Sequence, residues 1–326
     1  METRKIIAFG KSTRSITLPK KWIDKNKLMK GDTVSLIELS SGRLEVVPSS
    51  RKLDAKTKTI TIPIQGRPIK EIQREFIAAY IKGYSVIHLA GSHEGKISEI
   101  RRRLHELIAV EIMEVAPQRI TAKVFFDASI VSLPNIISRV EIITRTILEE
   151  TSSLLKKNNN LEIAYKELVE KKREVDRQSL FAIRIIVNAL TDPVFASTID
   201  ADTLKLSFGW HLIEYVEKIS DYLLTAAFYM VSTDVMKKLG KKGRDELHTI
   251  FSNVGMTFDN SLKSYNKNSP ELANKVFDMH SSNDKHIFKY VNKNLILWVP
   301  LISHYLRRIS SRSRDIAKIT INLNTN

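Results

Sequence analysis

The spacing of apolar and polar positions changes character twice along the chain, and these changes mark out its organisation. Up to residue 50 the apolar residues come in short β-branched runs, at 4–9, 16–19, 33–39 and 43–47, separated by turn sequences such as Lys30-Gly31-Asp32 and Ser40-Ser41-Gly42. That pattern predicts four short strands, with one brief helix over residues 20–27 between the second and the third. From 53 to 128, strand-like runs at 59–64, 85–90, 110–115 and 120–126 alternate with amphipathic stretches at 69–81 and 96–107, which predicts a small α+β module. Beyond residue 131 the apolar positions recur at helical spacing almost to the end. They predict helices over 134–157, 161–190, 202–230, 245–265, 270–291 and 297–319, with Gly240-Lys241-Lys242-Gly243 as the loop in the middle. Two groups of three helices joined by short loops predict two antiparallel three-helix bundles, 132–235 and 243–320. A repeated phrase supports the duplication: Tyr215-x-x-Lys218-Ile219-Ser220 recurs ninety residues on as Tyr305-x-x-Arg308-Ile309-Ser310. The expected fold is a multidomain α+β chain whose larger part is helical.

Composition narrows the chemistry. The 326 residues are 43% hydrophobic and 27% charged, as in a globular protein. No apolar run approaches the roughly 20 residues needed to span a bilayer, and Met1-Glu2-Thr3-Arg4-Lys5 opens no signal-peptide core, so the expectation is a cytoplasmic protein without membrane insertion. The absence of cysteine removes disulfides, thiolate nucleophiles and cysteine-ligated metals, leaving oxygen ligands and histidine. The net charge of +16 points to a polyanionic partner. It is densest at the N-terminus, where the first thirty residues hold nine basic side chains against two acidic ones. A strand unit of that size has too little interior to be stable alone, so a homodimer or higher homo-oligomer is expected.

The acidic residues cluster elsewhere. Glu214, Glu217 and Asp221 share one face of the predicted 202–230 helix, in line with Trp210, Leu224 and Phe228. Carboxylates bracketed by large apolar residues on a packing face must pair with Lys or Arg, take up protons, or bind a cation. The loop Gly91-Ser92-His93-Glu94-Gly95-Lys96 follows a strand and opens a helix, as phosphate-cradling loops do. It lacks one spacer, and Ile97 stands where Ser or Thr would hold magnesium, so no nucleotide site is expected. Dinuclear metal enzymes built on helical bundles need Glu-x-x-His phrases on facing helices, and the nearest approach is the single Asp245-x-x-His248. Catalysis is not expected.

Two resemblances add to this reading. Lys11 to Trp22 (Lys-Ser-Thr-Arg-Ser-Ile-Thr-Leu-Pro-Lys-Lys-Trp), followed by Leu28-x-x-Gly31-Asp32-x-Val34, resembles the AbrB/SpoVT/MazE swapped-hairpin DNA-binding domain. The resemblance covers residues 1–50 and implies an intertwined dimer that lays Arg4, Lys5, Lys11, Arg14, Lys20 and Lys21 on DNA, with phosphates contacted before bases. Tyr215 to Tyr222 (Tyr-Val-Glu-Lys-Ile-Ser-Asp-Tyr) resembles the Glu-Arg-Ile-Gly/Ala-Asp-His signature of PhoU-type phosphate-signalling proteins, over about residues 132–320. That family's fold is two three-helix bundles, and its Glu-x-x-x-Asp pair binds metal. Carried over, the pair is Glu217 and Asp221, with Glu214 on the same face and Glu174 and Asp176 of Arg173-Glu174-Val175-Asp176-Arg177 as further ligands.

The departures from the signature matter as much. The sixth helix has Arg307 and Ser311 at the positions of the metal pair and His304 at that of Glu214, and a fixed positive charge there excludes a cation. Any divalent or ferric ion is thus confined to the first bundle, where only a partial ligand set remains and an ion-paired or water-bridged acidic groove is the stronger expectation. Together the resemblances imply a DNA-binding transcriptional regulator linked to phosphate uptake. The alternative is an adaptor that docks on a phosphate-transporter ATPase or signalling protein through its helices, with the N-terminal unit serving only to dimerise.

Overall fold

In the N-terminal unit, Met1–Lys58, strand β1 (Ile7–Phe9) pairs antiparallel with β2 (Thr13–Ser15), and β3 (Val34–Glu38) with β4 (Leu44–Pro48), as two separate two-stranded sheets. The computed structural model describes residues 2–9, 13–38, 42–48, 58–92, 95–126, 131–156, 159–192, 195–196, 199 and 202–325. The second strand lies earlier than the β-branched run at 16–19 suggests. Pro19 has no N–H to give to a ladder, and it sits at φ −62° as the residue that leads into helix α1 (Lys20–Lys25), so the run becomes an extended approach to that helix. Among the described residues of this unit only Pro48 is buried.

The second unit, Thr59–Asn326, begins with the α+β module. Strand β5 (Thr59–Pro63), helix α2 (Ile69–Ile81) and β6 (Val86–Ala90) form a parallel β-α-β unit. Helix α3 (Ile97–His105) then leads to the antiparallel hairpin β7 (Val110–Ala116) and β8 (Arg119–Val124), giving the strand order β5-β6-β8-β7. Alternate residues, Ile62, Ile87, Leu89, Ile120, Ala122 and Val124, face a core completed by Phe76 and Tyr80 of α2 and by Ile100 and Leu104 of α3. The turn after α2 needs glycine for two reasons. Gly83 sits at φ +83°, and a Cβ there would come within 2.1 Å of the Asn188 side chain.

Among the described residues seven α-helices follow: α4 (Leu133–Ser153), α5 (Leu161–Thr191), α6 (Thr203–Ser232), the single turn α7 (Val235–Lys238), α8 (Gly240–Asn266), α9 (Pro270–Lys293) and α10 (Val299–Asn324). Ser132, Asp202 and Ser269 cap α4, α6 and α9, each accepting a hydrogen bond from the backbone N–H three residues on, and Pro134 and Pro270 stand in the first turns of α4 and α9. The Gly-Lys-Lys-Gly stretch expected as a loop forms the first turn of α8 instead. Gly243 packs against Leu239 and accepts a hydrogen bond from the buried Tyr290 hydroxyl at 3.0 Å, so tertiary contact overrides poor helix propensity.

One apolar core draws on both triplets, with Val175, Leu212, Ile219 and Leu223 joined to Phe251, Phe258, Tyr290, Ile302 and Leu306, and α6 packs along α10. The α+β module rests on α5. There Leu180 and Phe181 meet its core, and the buried Arg184 guanidinium donates to the carbonyls of Tyr80 and Tyr84 while lying 4.8 Å from the centre of the Tyr80 ring. Among the described residues no helix is long and apolar enough to cross a membrane.

Candidate functional site

The acidic stripe of α6 faces α5, and a lysine stands in its centre. On α5, Lys172 and Asp176 are one turn apart; on α6, Glu217 and Asp221 are likewise one turn apart. The Lys172 ammonium lies 2.8 Å from Asp221 Oδ1 and 3.4 Å from Glu217 Oε1, and pairs most closely with Asp176. Lys218 closes the outer side, its Nζ 2.9 Å from Asp221 Oδ2 and 3.2 Å from Glu217 Oε2. The Lys172 side chain is only 8% exposed, and Val175 on the same helix and Val216, Ile219 and Ser220 beside the carboxylates of α6 are buried.

The electrostatics follow from three carboxylates held by two ammonium groups. Burial favours the neutral form of Lys172, but Asp176 and Asp221 outweigh it and hold the amine above its ordinary range. Burial also works against ionised Asp221, yet hydrogen bonds from Lys172 and Lys218 bring its carboxyl below the usual value. The excess negative charge falls on Glu217, pushed up by burial and then by the neighbouring Asp221, and on Asp176, which burial also pushes up against the pull of Lys172.

Of the residues singled out from sequence, Asp176, Glu217 and Asp221 are brought together. The other two are engaged elsewhere. Glu174 accepts hydrogen bonds from Arg139 and Arg177, each at 3.1 Å, and from Gln178 at 2.8 Å. Glu214 accepts from Trp210 Nε1 at 2.8 Å and lies 3.6 Å from His211. Whether the seam suits a metal turns on Lys172. Its ammonium already occupies the point where the three carboxylates converge, and among the described residues no group of three or more His, Cys, Asp or Glu side chains is arranged to hold a metal ion. The residues present do not fit the ion that the resemblance implies.

At the corresponding place in the second triplet, Arg307 on α10 pairs with Asp284 on α9, Nε to Oδ1 at 3.3 Å. Beside them runs a neutral polar chain. The buried Asn283 donates to Thr257 Oγ1 at 2.8 Å and to Ser310 Oγ at 3.3 Å, and His280 Nδ1 lies 3.0 Å from the same Ser310 oxygen.

In the N-terminal unit, Arg4, Lys5, Arg14, Lys20 and Lys21 are all exposed. Lys20 and Lys21 form the first turn of α1, Arg4 pairs with Glu2, and Arg14 donates to its neighbour's carbonyl at 3.3 Å. Lys11, Ser40, Ser41, His93 and Glu94 lie outside the described residues. The helix-opening Lys96 of the glycine loop donates to the Arg67 carbonyl at 2.9 Å.

Sequence reasoning missed Lys172, although the chain carries a signal for it. Leu168, Lys172, Val175, Ser179 and Ala182 follow one another at helical spacing on the buried stripe of α5, and a lysine in such a series needs a carboxylate opposite. Asp284 was missed as well, and it has no comparable signature.

No protein family and no curated protein matches this sequence. Among solved structures the chain is similar to PhoU from Pseudomonas aeruginosa, with 12% identity, a TM-score of 0.39, and coverage of 59% of this chain and 94% of that one. A likeness at that level leaves the fold to be defined by the packing itself.

Proposed function

We propose that the protein is a dimeric DNA-binding regulator tied to phosphate uptake, whose N-terminal unit holds DNA while the helical part receives the signal. The observation that carries this reading is that, among the described residues of the N-terminal unit, only Pro48 is buried. Ile6, Ile7, Ile16, Met29, Leu36 and Leu44 are each more than half exposed, in a unit whose described strands form two-stranded ribbons. Apolar strands of this kind need a cover, and a second copy of the same unit supplies one of matching shape. Arg14, Lys20 and Lys21 remain exposed, as phosphate contacts require. The phosphate theme comes from the signature around Tyr215, and the reading assigns no catalysis.

Fluorescence anisotropy with labelled duplex DNA over a salt titration tests the DNA assignment. Replacing Arg14, Lys20 and Lys21 with Ala should weaken binding on nearly all sequences and flatten the salt dependence by about two to three units of slope. Equal affinity across the titration would remove DNA from the reading. The adaptor alternative, docking on a transporter ATPase, draws on a different observation. Leu295 and Leu297, just before α10, are 91% and 73% exposed, and Phe228 on α6 is 46% exposed. Loss of partner capture from Leu295→Ser/Leu297→Ser, with DNA binding absent in the parent, would favour it.

A further inference from the structure

We propose that Lys172 is the resident counter-cation of the α5–α6 seam: it fills the position between Asp176, Glu217 and Asp221 that a divalent metal would need, so the seam is closed to metal until Lys172 is removed. The inference stands on geometry and does not depend on the proposed function.

A hard divalent ion binds carboxylate oxygens at about 2.0–2.6 Å. The ammonium already lies 2.8 Å from Asp221 Oδ1 and 3.4 Å from Glu217 Oε1 and is closer still to Asp176, so an ion reaching the same oxygens would lie against a second positive charge. Lys172 cannot readily swing aside. Its side chain is 8% exposed, and its ammonium is held by carboxylates from both helices, Asp176 on α5 and Glu217 and Asp221 on α6. Lys218 differs, being 51% exposed at the rim, where it can turn into solvent.

The second triplet repeats the arrangement with the charges exchanged, Asp284 coming from the second helix and Arg307 from the third. In both places the cation that pairs with carboxylate across the helix–helix seam is a side chain of the protein.

The charge count gives the consequence. As the side chains stand, no three carboxylates among the described residues are set to hold a metal ion. With Lys172 gone, Asp176, Glu217 and Asp221 would face one another with only the movable Lys218 between them, and their side chains could turn inward to share one. Such a group lowers its free energy by taking up a cation. Oxygen-only donors select manganese, magnesium or calcium over softer ions.

The test uses the full-length chain purified without chelators. Metal content per chain after desalting from MnCl2, and thermal unfolding with and without MnCl2, are measured for the wild type, Lys172→Ala, Lys172→Arg and Lys172→Ala/Asp221→Asn. The wild type and Lys172→Arg should retain no stoichiometric manganese and show no shift in unfolding temperature. Lys172→Ala should hold one ion per chain and unfold at a higher temperature when manganese is added, and the double variant should lose both properties. If Lys172→Ala folds only when manganese is supplied, the proposal is supported. Three results would overturn it: stoichiometric manganese in the wild type that Asp221→Asn removes, no manganese in folded Lys172→Ala, or unfolded Lys172→Ala that manganese fails to restore.

Discussion

The two helix triplets place an ion pair at the same point of their repeated phrase and give it opposite polarity. In the first, Lys172 on α5 meets Glu217 on α6; in the second, Asp284 on α9 meets Arg307 on α10. Glu217 and Arg307 each stand two residues after the repeated tyrosine, Tyr215 or Tyr305. What the repeat preserves is an ion pair across a seam, with the sign on each helix exchanged. The burial of the pair is not preserved. Lys172 is 8% exposed, whereas Arg307 and Asp284 are 53% and 35% exposed. The first triplet thus encloses charge, and the second leaves its ion pair near solvent and encloses the neutral chain from Thr257 through Asn283 to Ser310.

The largest effect should come from Lys172→Ala, which strands the carboxylates around a vacated centre. A loss of about 2–4 kcal/mol in metal-free denaturant unfolding is expected, below the cost of breaking a fully enclosed pair because the partners keep some water. A loss under about 0.5 kcal/mol would show the two seams to be energetically alike. Asn283→Ala should follow, at about 1–3 kcal/mol, since it leaves Thr257 and Ser310 short of a donor inside the second triplet. Stability unchanged by that substitution would mean that the buried chain of hydrogen bonds contributes nothing net.

Arg307→Ala should cost less than about 1 kcal/mol, because a half-exposed pair gains little over hydration. A cost equal to that of Lys172→Ala would erase the distinction drawn from burial. Glu217→Gln should have the smallest effect at neutral pH and the opposite sign. The Glu217 carboxyl is pushed up by burial and then by Asp221, with Lys172 and Lys218 opposing, so the folded state holds its proton to higher pH than the unfolded state does. Stability is then lost as pH rises from about 4.3 through the raised value, and the glutamine variant is spared that loss. Unfolding curves at several pH values should show the variant gaining on the wild type across that window. A constant difference between the two would place the proton elsewhere.

How much was legible in the sequence differs between regions for physical reasons. The strands and helices of residues 59–126 follow from alternation and helical spacing, because each element there has one face on a single core. The long helices follow in the same way, and the Ser-Pro-Glu start at Ser269 fixes the beginning of α9. The first turn of α8 was misread because its two glycines favour a loop locally, while the Tyr290 hydroxyl and the packing of Leu239 favour a helix. The second N-terminal strand was placed too late, since a β-branched run marks strand propensity without specifying which residues find a ladder partner.

By itself the sequence determined that the chain is mostly helical after an N-terminal strand region, that its positive charge concentrates in the first thirty residues, and that a carboxylate stripe lies on a packing face. These are properties of neighbours along the chain, at intervals of two, three or four residues. Only the tertiary structure decided what meets that stripe. Lys172 is 45 residues from Glu217 in sequence, and Asp284 is 23 from Arg307. Periodicity along one helix gives the face that a side chain occupies, but the counter-charge opposite is chosen by how two helices pack.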